Sequence, residues 1–231
     1  MILDAARAAA SQLFSPEFRA VFLKTLGLTL LALLGLWVGL QSLLEWLAWP
    51  WLETFLPGLP SWAGWLSAIV AGIVLAVGMA LLVAPVTAII AGLFLDDVAA
   101  VVERTDYPGD PPGSPVPALR SLVLAVKFFG VVIVGNIVAL LLLLVPGINI
   151  AAFFIVNGYL LGREFFEFAA MRFRPEAEAK ALRRRYAGTV FLAGLVISVV
   201  LAVPLLNLLT PLFAAAMMVH LYKAVSAREP G

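Results

Sequence analysis

The chain has 231 residues, 63% of them hydrophobic and 13% charged, with a formal net charge of +1 and a mean hydropathy of +1.07. An ordinary soluble domain carries roughly 45–50% apolar and about 25% charged residues, so the composition predicts an all-α integral membrane protein. The chain is expected to form a single membrane domain with no separate soluble enzyme domain. Cysteine is absent, which excludes disulfides, thiolate chemistry and cysteine metal sites, and no basic block suited to nucleic acid occurs.

Residues 2–14 form a short amphipathic stretch, expected as a helix at the membrane interface. The opening lacks a charged segment followed by an apolar core and a cleavage site, so no cleaved signal peptide is expected. Ser15-Pro16-Glu17 then reads as a helix start: a cap, a proline at the first helical position, and an acid at the positive end of the dipole. The helix predicted over 15–44 has Arg19 and Lys24 near its start and no charge from Leu26 to Leu44, enough to cross a bilayer once. Gly35 and Gly39 in it make a pair suited to close helix packing.

Residues 45–61 contain Trp46, Trp49 and Trp51 but no Lys or Arg, which suits a membrane–water boundary. A second long helix is predicted over 62–104. It has no charge from Trp62 to Leu95, an expected kink near Pro85, and an extension into water from Asp96 to Arg104. Pro108, Pro111, Pro112, Pro115 and Pro117 then mark a loop.

Residues 120–173 read as a helical hairpin. Its two apolar arms meet at Pro146-Gly147-Ile148-Asn149, a turn too poor in charge for water, so the tip is expected in lipid or packed protein. Residues 175–185 read as a short water-exposed helix, with Glu176 and Glu178 in its first turn, Arg183, Arg184 and Arg185 in its last, and a Glu176–Lys180 pair between. Residues 186–222 repeat the hairpin. Val145-Pro146-Gly147-Ile148-Asn149 and Val203-Pro204-Leu205-Leu206-Asn207 share Val-Pro-x-x-Asn about 58 residues apart, each between apolar arms. Paired proline-broken apolar segments point to a transport site. The fold expected is two long transmembrane helices plus two partly penetrating, re-entrant hairpins. Residues 163–185 hold seven Lys/Arg and 45–61 none, which places both termini and the 96–120 loop in the cytoplasm. Six full spans satisfy the same charge pattern if the tips reach water, but tips without charge favour incomplete crossing.

Catalytic machinery is hard to assemble. The one histidine, His220, has no carboxylate beside it in sequence and reads as an interfacial residue. Glu164 and Glu167 could be taken for an acid–base pair, but ion pairing with Arg163, Arg172 or the arginines at 183–185 is the simpler reading. No cofactor, metal-ligand cluster or phosphate loop is indicated. Anion handling fits better. Arg19 stands near a helix N-terminus, where the dipole already favours an anion. Asn149 and Asn207 would lie beside proline-broken backbone deep in the membrane, where each amide could cap its own hairpin arm, meet an ion, or do both.

The charge-free second helix with its extension, the Val-Pro-Gly-Ile hairpin, Asn157-Gly-Tyr-Leu-Leu-Gly-Arg-Glu-Phe-Phe-Glu167 and Val-Pro-Leu-Leu-Asn207-Leu-Leu-Thr-Pro211 together resemble the CysZ sulfate permease family. They also resemble the wider etoposide-induced-protein superfamily that includes it. The resemblance implies two long helices, two partly penetrating hairpins, a homo-oligomer in the bacterial inner membrane, and sulfate uptake feeding cysteine synthesis. The family's motif near the first long helix is similar to Pro-Gly-hydrophobe-(Asn or Arg)-Arg, whereas this chain has Pro16-Glu17-Phe18-Arg19-Ala20. Arg19 matches one basic position, and Glu17 disfavours a dianion beside it. Two functions follow: a channel or permease for sulfate or a related small anion, or a non-transporting scaffold that shapes lipid, with Arg183 to Arg185 on headgroups.

Overall fold

The structure, a computed structural model, describes residues 1–55, 61–117, 123, 148–203, 206 and 209–229. Among these, all regular structure is helical: α1 (Ile2–Gln12), α2 (Pro16–Phe55), α3 (Ser61–Leu93), α4 (Leu95–Asp106), α5 (Ile148–Met171), α6 (Glu176–Arg185), α7 (Ala187–Ala202) and α8 (Thr210–Ser226). The first arm and the Pro146-Gly147 tip of the expected first hairpin lie outside the described residues, as does Asn207.

Local chemistry sets the helix ends. The Ser15 hydroxyl accepts a hydrogen bond from the Phe18 N–H at 3.2 Å, the cap that Ser15-Pro16-Glu17 predicts. Ser15→Ala is expected to lower thermal stability by about 1 kcal/mol, read as a melting shift in detergent. The second long helix runs through Pro85 and breaks instead at Phe94 (φ −103°, ψ 1°). Asp96 and Asp97 immediately follow in the first turn of α4, where the positive end of a new helix favours them. In α6, Lys180 Nζ reaches Glu176 Oε1 at 2.6 Å, the pair that the sequence places there.

The chain forms two compact units, Met1–Leu23 with Ala91–Gly231, and Lys24–Ile90. In the second unit, Leu30, Leu31, Leu34, Val38 and Leu43 of α2 and Ile69, Val70, Ile73 and Val77 of α3 are exposed. Pro16–Leu47 is long and apolar enough to cross a membrane, and only 11% of its most apolar window is buried. A soluble core helix would be mostly buried, and an apolar surface of this extent requires lipid or a partner. Gly78 brings the two helices together, since a Cβ there would stand 3.2 Å from Leu40 Cδ2. Gly35 and Gly39 differ from expectation: a Cβ at either meets nothing within 4 Å, so they mark no helix contact among the described residues.

In the first unit α8 is the central element. Leu212 to Tyr222 are all buried, as expected of a helix that is apolar all round. The helices α1, α4, α5 and α7 pack around it. The partners α5 and α7 approach backbone to backbone at Gly158, Gly162 and Gly194. α6 meets α7 at 89°, so the water-exposed helix turns sharply before the apolar one. Hydroxyls and amides along the apolar helices bond back to their own carbonyls: Thr29 to Thr25 and Asn157 to Phe153, each at 2.8 Å, and Ser42 to Val38 at 2.9 Å. Polar groups satisfied in this way demand nothing from an apolar surrounding.

Candidate functional site

The residues expected to meet an anion are distributed along the chain. Arg19 is exposed on the first turns of α2, with Glu17 exposed beside it, and its N–H donates to the Ser15 carbonyl at 3.0 Å. Asn149 is the second residue of α5, in the uncompensated N-terminal turn. Of the three candidates, Arg19 is the one whose side chain is described.

The charged residues at the C-terminal end of α5 separate into two clusters. In one, Glu167 is shared by Arg163 of its own helix, at 3.5 Å, and by Arg183 of α6. Arg183 Nε and Glu167 Oε1 stand 2.6 Å apart, close enough for an ion pair but not aligned as a hydrogen bond. Arg183 is thus turned inward, while Arg184 and Arg185 are exposed and Arg185 approaches Glu229 at 3.7 Å. Glu164 lies half-buried on the same face, outside the apolar part of the helix. Burial, reinforced by Glu167 and opposed by Arg163, lifts its carboxyl to about 7.

A raised carboxylate has a definite consequence for stability. Between its ordinary value and about 7 the folded chain holds a proton that the unfolded chain has lost, so stability falls as pH rises through this window. Glu164→Gln is expected to remove that fall. The variant should match the parent near pH 4.5 and exceed it by on the order of 2 kcal/mol at pH 8, read from melting curves against pH.

The second cluster surrounds Arg172, whose side chain is 2% exposed. Its Nε and Nη2 reach Glu103 Oε1 and Oε2 at 2.8 and 3.3 Å, and its Nη1 contacts Asp96 Oδ1. Burial lifts the Asp96 carboxyl above its usual range, with Arg172 pulling the other way. The proline-rich loop crosses this cluster as a strap. The Gly113 N–H donates to Glu103 at 2.9 Å, the Ser114 N–H to the Arg172 carbonyl at 2.8 Å, and the Val116 N–H to Asp96 at 3.4 Å. Lys223 holds Asp110 at 2.8 Å. Gly113 permits the close pass, since a Cβ there would stand 2.9 Å from Glu103 Oε1 and 3.0 Å from Arg172 Cβ.

The reading from sequence grouped Arg172 with Arg163, Glu164 and Glu167; the structure pairs it with Asp96 and Glu103, 76 and 69 positions away. Periodicity carries no signal for such a pairing. The nearest sequence hint is that α4, which runs into the proline-rich loop, and the far end of α5 both carry charge. Chemically the cluster is a clamp in which one buried guanidinium is held between two carboxylates. No group of three or more His, Asp or Glu able to hold a metal occurs among the described residues.

A helical chain with charge clusters at the end of α5 and one exposed candidate span matches a known family. The family described as sulfate transporter CysZ/etoposide-induced protein 2.4 matches residues 5–211. The chain belongs to that family. The match takes in α1 through α7 and ends at the first turn of α8, so both expected hairpins fall largely inside it. CysZ-type members are transporters. No curated protein matches the chain in sequence.

Proposed function

We propose that the chain is a membrane channel or permease for sulfate or a related small inorganic anion, passing it down its gradient. Family membership over residues 5–211 carries this reading. The exposed apolar length of Pro16–Leu47 supports a membrane location. In this reading the protein is a homo-oligomer in the bacterial inner (plasma) membrane, with both termini cytoplasmic, working without a cofactor and supplying sulfur for cysteine synthesis. Arg19, Asn149 and Asn207 provide the donors along the anion's route: a guanidinium at one helix start and amides at two hairpin tips.

Flux in reconstituted vesicles tests the proposal. Sulfate should pass at a rate that Arg19→Ala lowers about tenfold, the worth of one charge-assisted hydrogen bond at roughly 1.4 kcal/mol. A well-folded preparation that passes no sulfate, chloride or phosphate would overturn it. The exposed Glu17 beside Arg19 favours a second reading, in which the chain shapes lipid or scaffolds partners. In that case Arg184 and Arg185 govern binding to anionic vesicles, and substitutions at Asn149 and Asn207 leave it unchanged.

A further inference from the structure

We propose that His220 is a proton-operated latch that seats the N-terminal helix α1 on the core, and that acidification releases it. The imidazole is 5% exposed, at the meeting of three elements. From the end of α4, Tyr107 Oη stands 2.9 Å from Nδ1. From α1, Gln12 Oε1 lies 3.3 Å from Nε2, and Asp106 Oδ2 of α4 also lies 3.3 Å from it. Gln12 Nε2 donates to the same Asp106 oxygen at 2.6 Å, closing a ring of three side chains. The rest of the seat is apolar: Ala5 and Ala9 are buried, and Met1, Ile2, Ala6 and Leu13 pack partly buried against the core. The Gln12–His220–Asp106 ring adds the polar attachment at the C-terminal end of α1.

The neutral state satisfies this ring without placing a charge in it. With His220 neutral, the Tyr107 hydroxyl donates to Nδ1, the Nε2–H donates to Gln12 Oε1, and the Gln12 amide donates to Asp106. A second proton on the ring lands on Nδ1, so the Tyr107 hydroxyl must change from donor to acceptor and give up the hydrogen bond it donates there. That proton also places a charge where there is almost no water. Asp106 opposes that cost, but its side chain is 35% exposed and already engaged by Gln12, so its field is screened. The other charged groups near the ring are Lys223, 5.5 Å above the Tyr107 ring, and Asp110, which pairs with it. These two neutralise each other. His220 is the chain's single histidine and so its one side chain with an ordinary pKa between pH 5 and 8.

The absence of cysteine makes the test direct. Ser11 is exposed on α1, and a spin label on Ser11→Cys in the full chain reports whether α1 is docked. Between pH 8 and pH 5 the label's spectrum should pass from an immobile to a mobile form, with at least a threefold rise in the mobile fraction. His220→Gln, which keeps a donor and an acceptor but cannot charge, should hold the immobile form throughout. Tyr107→Phe, which removes the donor to Nδ1, should move the transition to higher pH. Glu164→Gln should leave it in place, separating the latch from the other group that titrates near neutrality. A label immobile at every pH in the parent, or the same transition surviving in His220→Gln, overturns the proposal. Should His220→Gln not fold, an unmoved transition in Tyr107→Phe overturns it equally.

Discussion

Gly194→Ala is expected to cost about 3 kcal/mol or more, seen as a drop in melting temperature and in the monodisperse fraction of detergent-solubilised protein. A Cβ at Gly194 would fall onto the Gly158 carbonyl oxygen and stand 2.8 Å from Gly162 Cα. Both obstacles are backbone, so no rotamer change makes room and α5 and α7 must separate along their length. Overpacking ordinarily costs about 1–3 kcal/mol when side chains can shift, and here they cannot relieve the clash. Neighbouring glycines provide internal controls. At Gly158 the nearest atom is Leu195 Cδ2 at 2.6 Å, the far end of a flexible side chain, although Leu195 N also lies 3.3 Å away. Gly158→Ala should therefore cost less, about 1–2 kcal/mol. At Gly188 a Cβ meets nothing within 4 Å, so Gly188→Ala should be neutral or stabilise α7 by about 0.5 kcal/mol. Equal melting of the Gly194→Ala and Gly188→Ala proteins would show that the close α5–α7 crossing is absent.

The same crossing shows where sequence is legible. Charge-free runs, the Ser15 cap and the macrodipole ordering of α6 are local signals, and each appears where its residues stand. Local signals also place the acids of α4, although the break before them falls at Phe94 and not near Pro85. Proline late in an apolar run suggests a kink, but an acidic turn that begins ten residues on supplies the actual helix start. The small residues were harder to read. Gly35 and Gly39 have the spacing of a packing motif and meet nothing among the described residues, whereas Gly158, Gly162 and Gly194, split between two helices, make the contact. Spacing along one helix cannot report which neighbour it meets. His220 is the clearest case. With no carboxylate nearby in sequence it read as interfacial, yet Asp106, Tyr107 and Gln12 reach it from 114, 113 and 208 positions away. Asn149 and Asn207 stay as the sequence left them, one in the first turn of α5 and the other outside the described residues.

Arg172→Met should have the second large effect, and its partners reveal why. Removing the guanidinium leaves Glu103, 6% exposed, and Asp96, 22% exposed, without a cation. Breaking a buried ion pair from one side costs about 3–5 kcal/mol, most of it the penalty of the stranded charge. Burial already lifts Asp96 against the pull of Arg172, so its carboxyl should rise further when the arginine is lost. The Arg172→Met protein should then be markedly more stable at pH 5 than at pH 8, because protonation relieves the stranded acids. Adding Glu103→Gln and Asp96→Asn to Arg172→Met should restore much of the loss at pH 8, since no buried charge remains. The strap offers a separate readout. Gly113, Ser114 and Val116 donate to Glu103, the Arg172 carbonyl and Asp96 in the contacts described above. Limited proteolysis between Tyr107 and Val116 should accelerate at least tenfold in Arg172→Met at pH 8, a loss of at least 1.4 kcal/mol in local stability. If cleavage and melting both stay at the parental level, the charge clamp does not hold the strap, and Arg172 must be balanced in some other way.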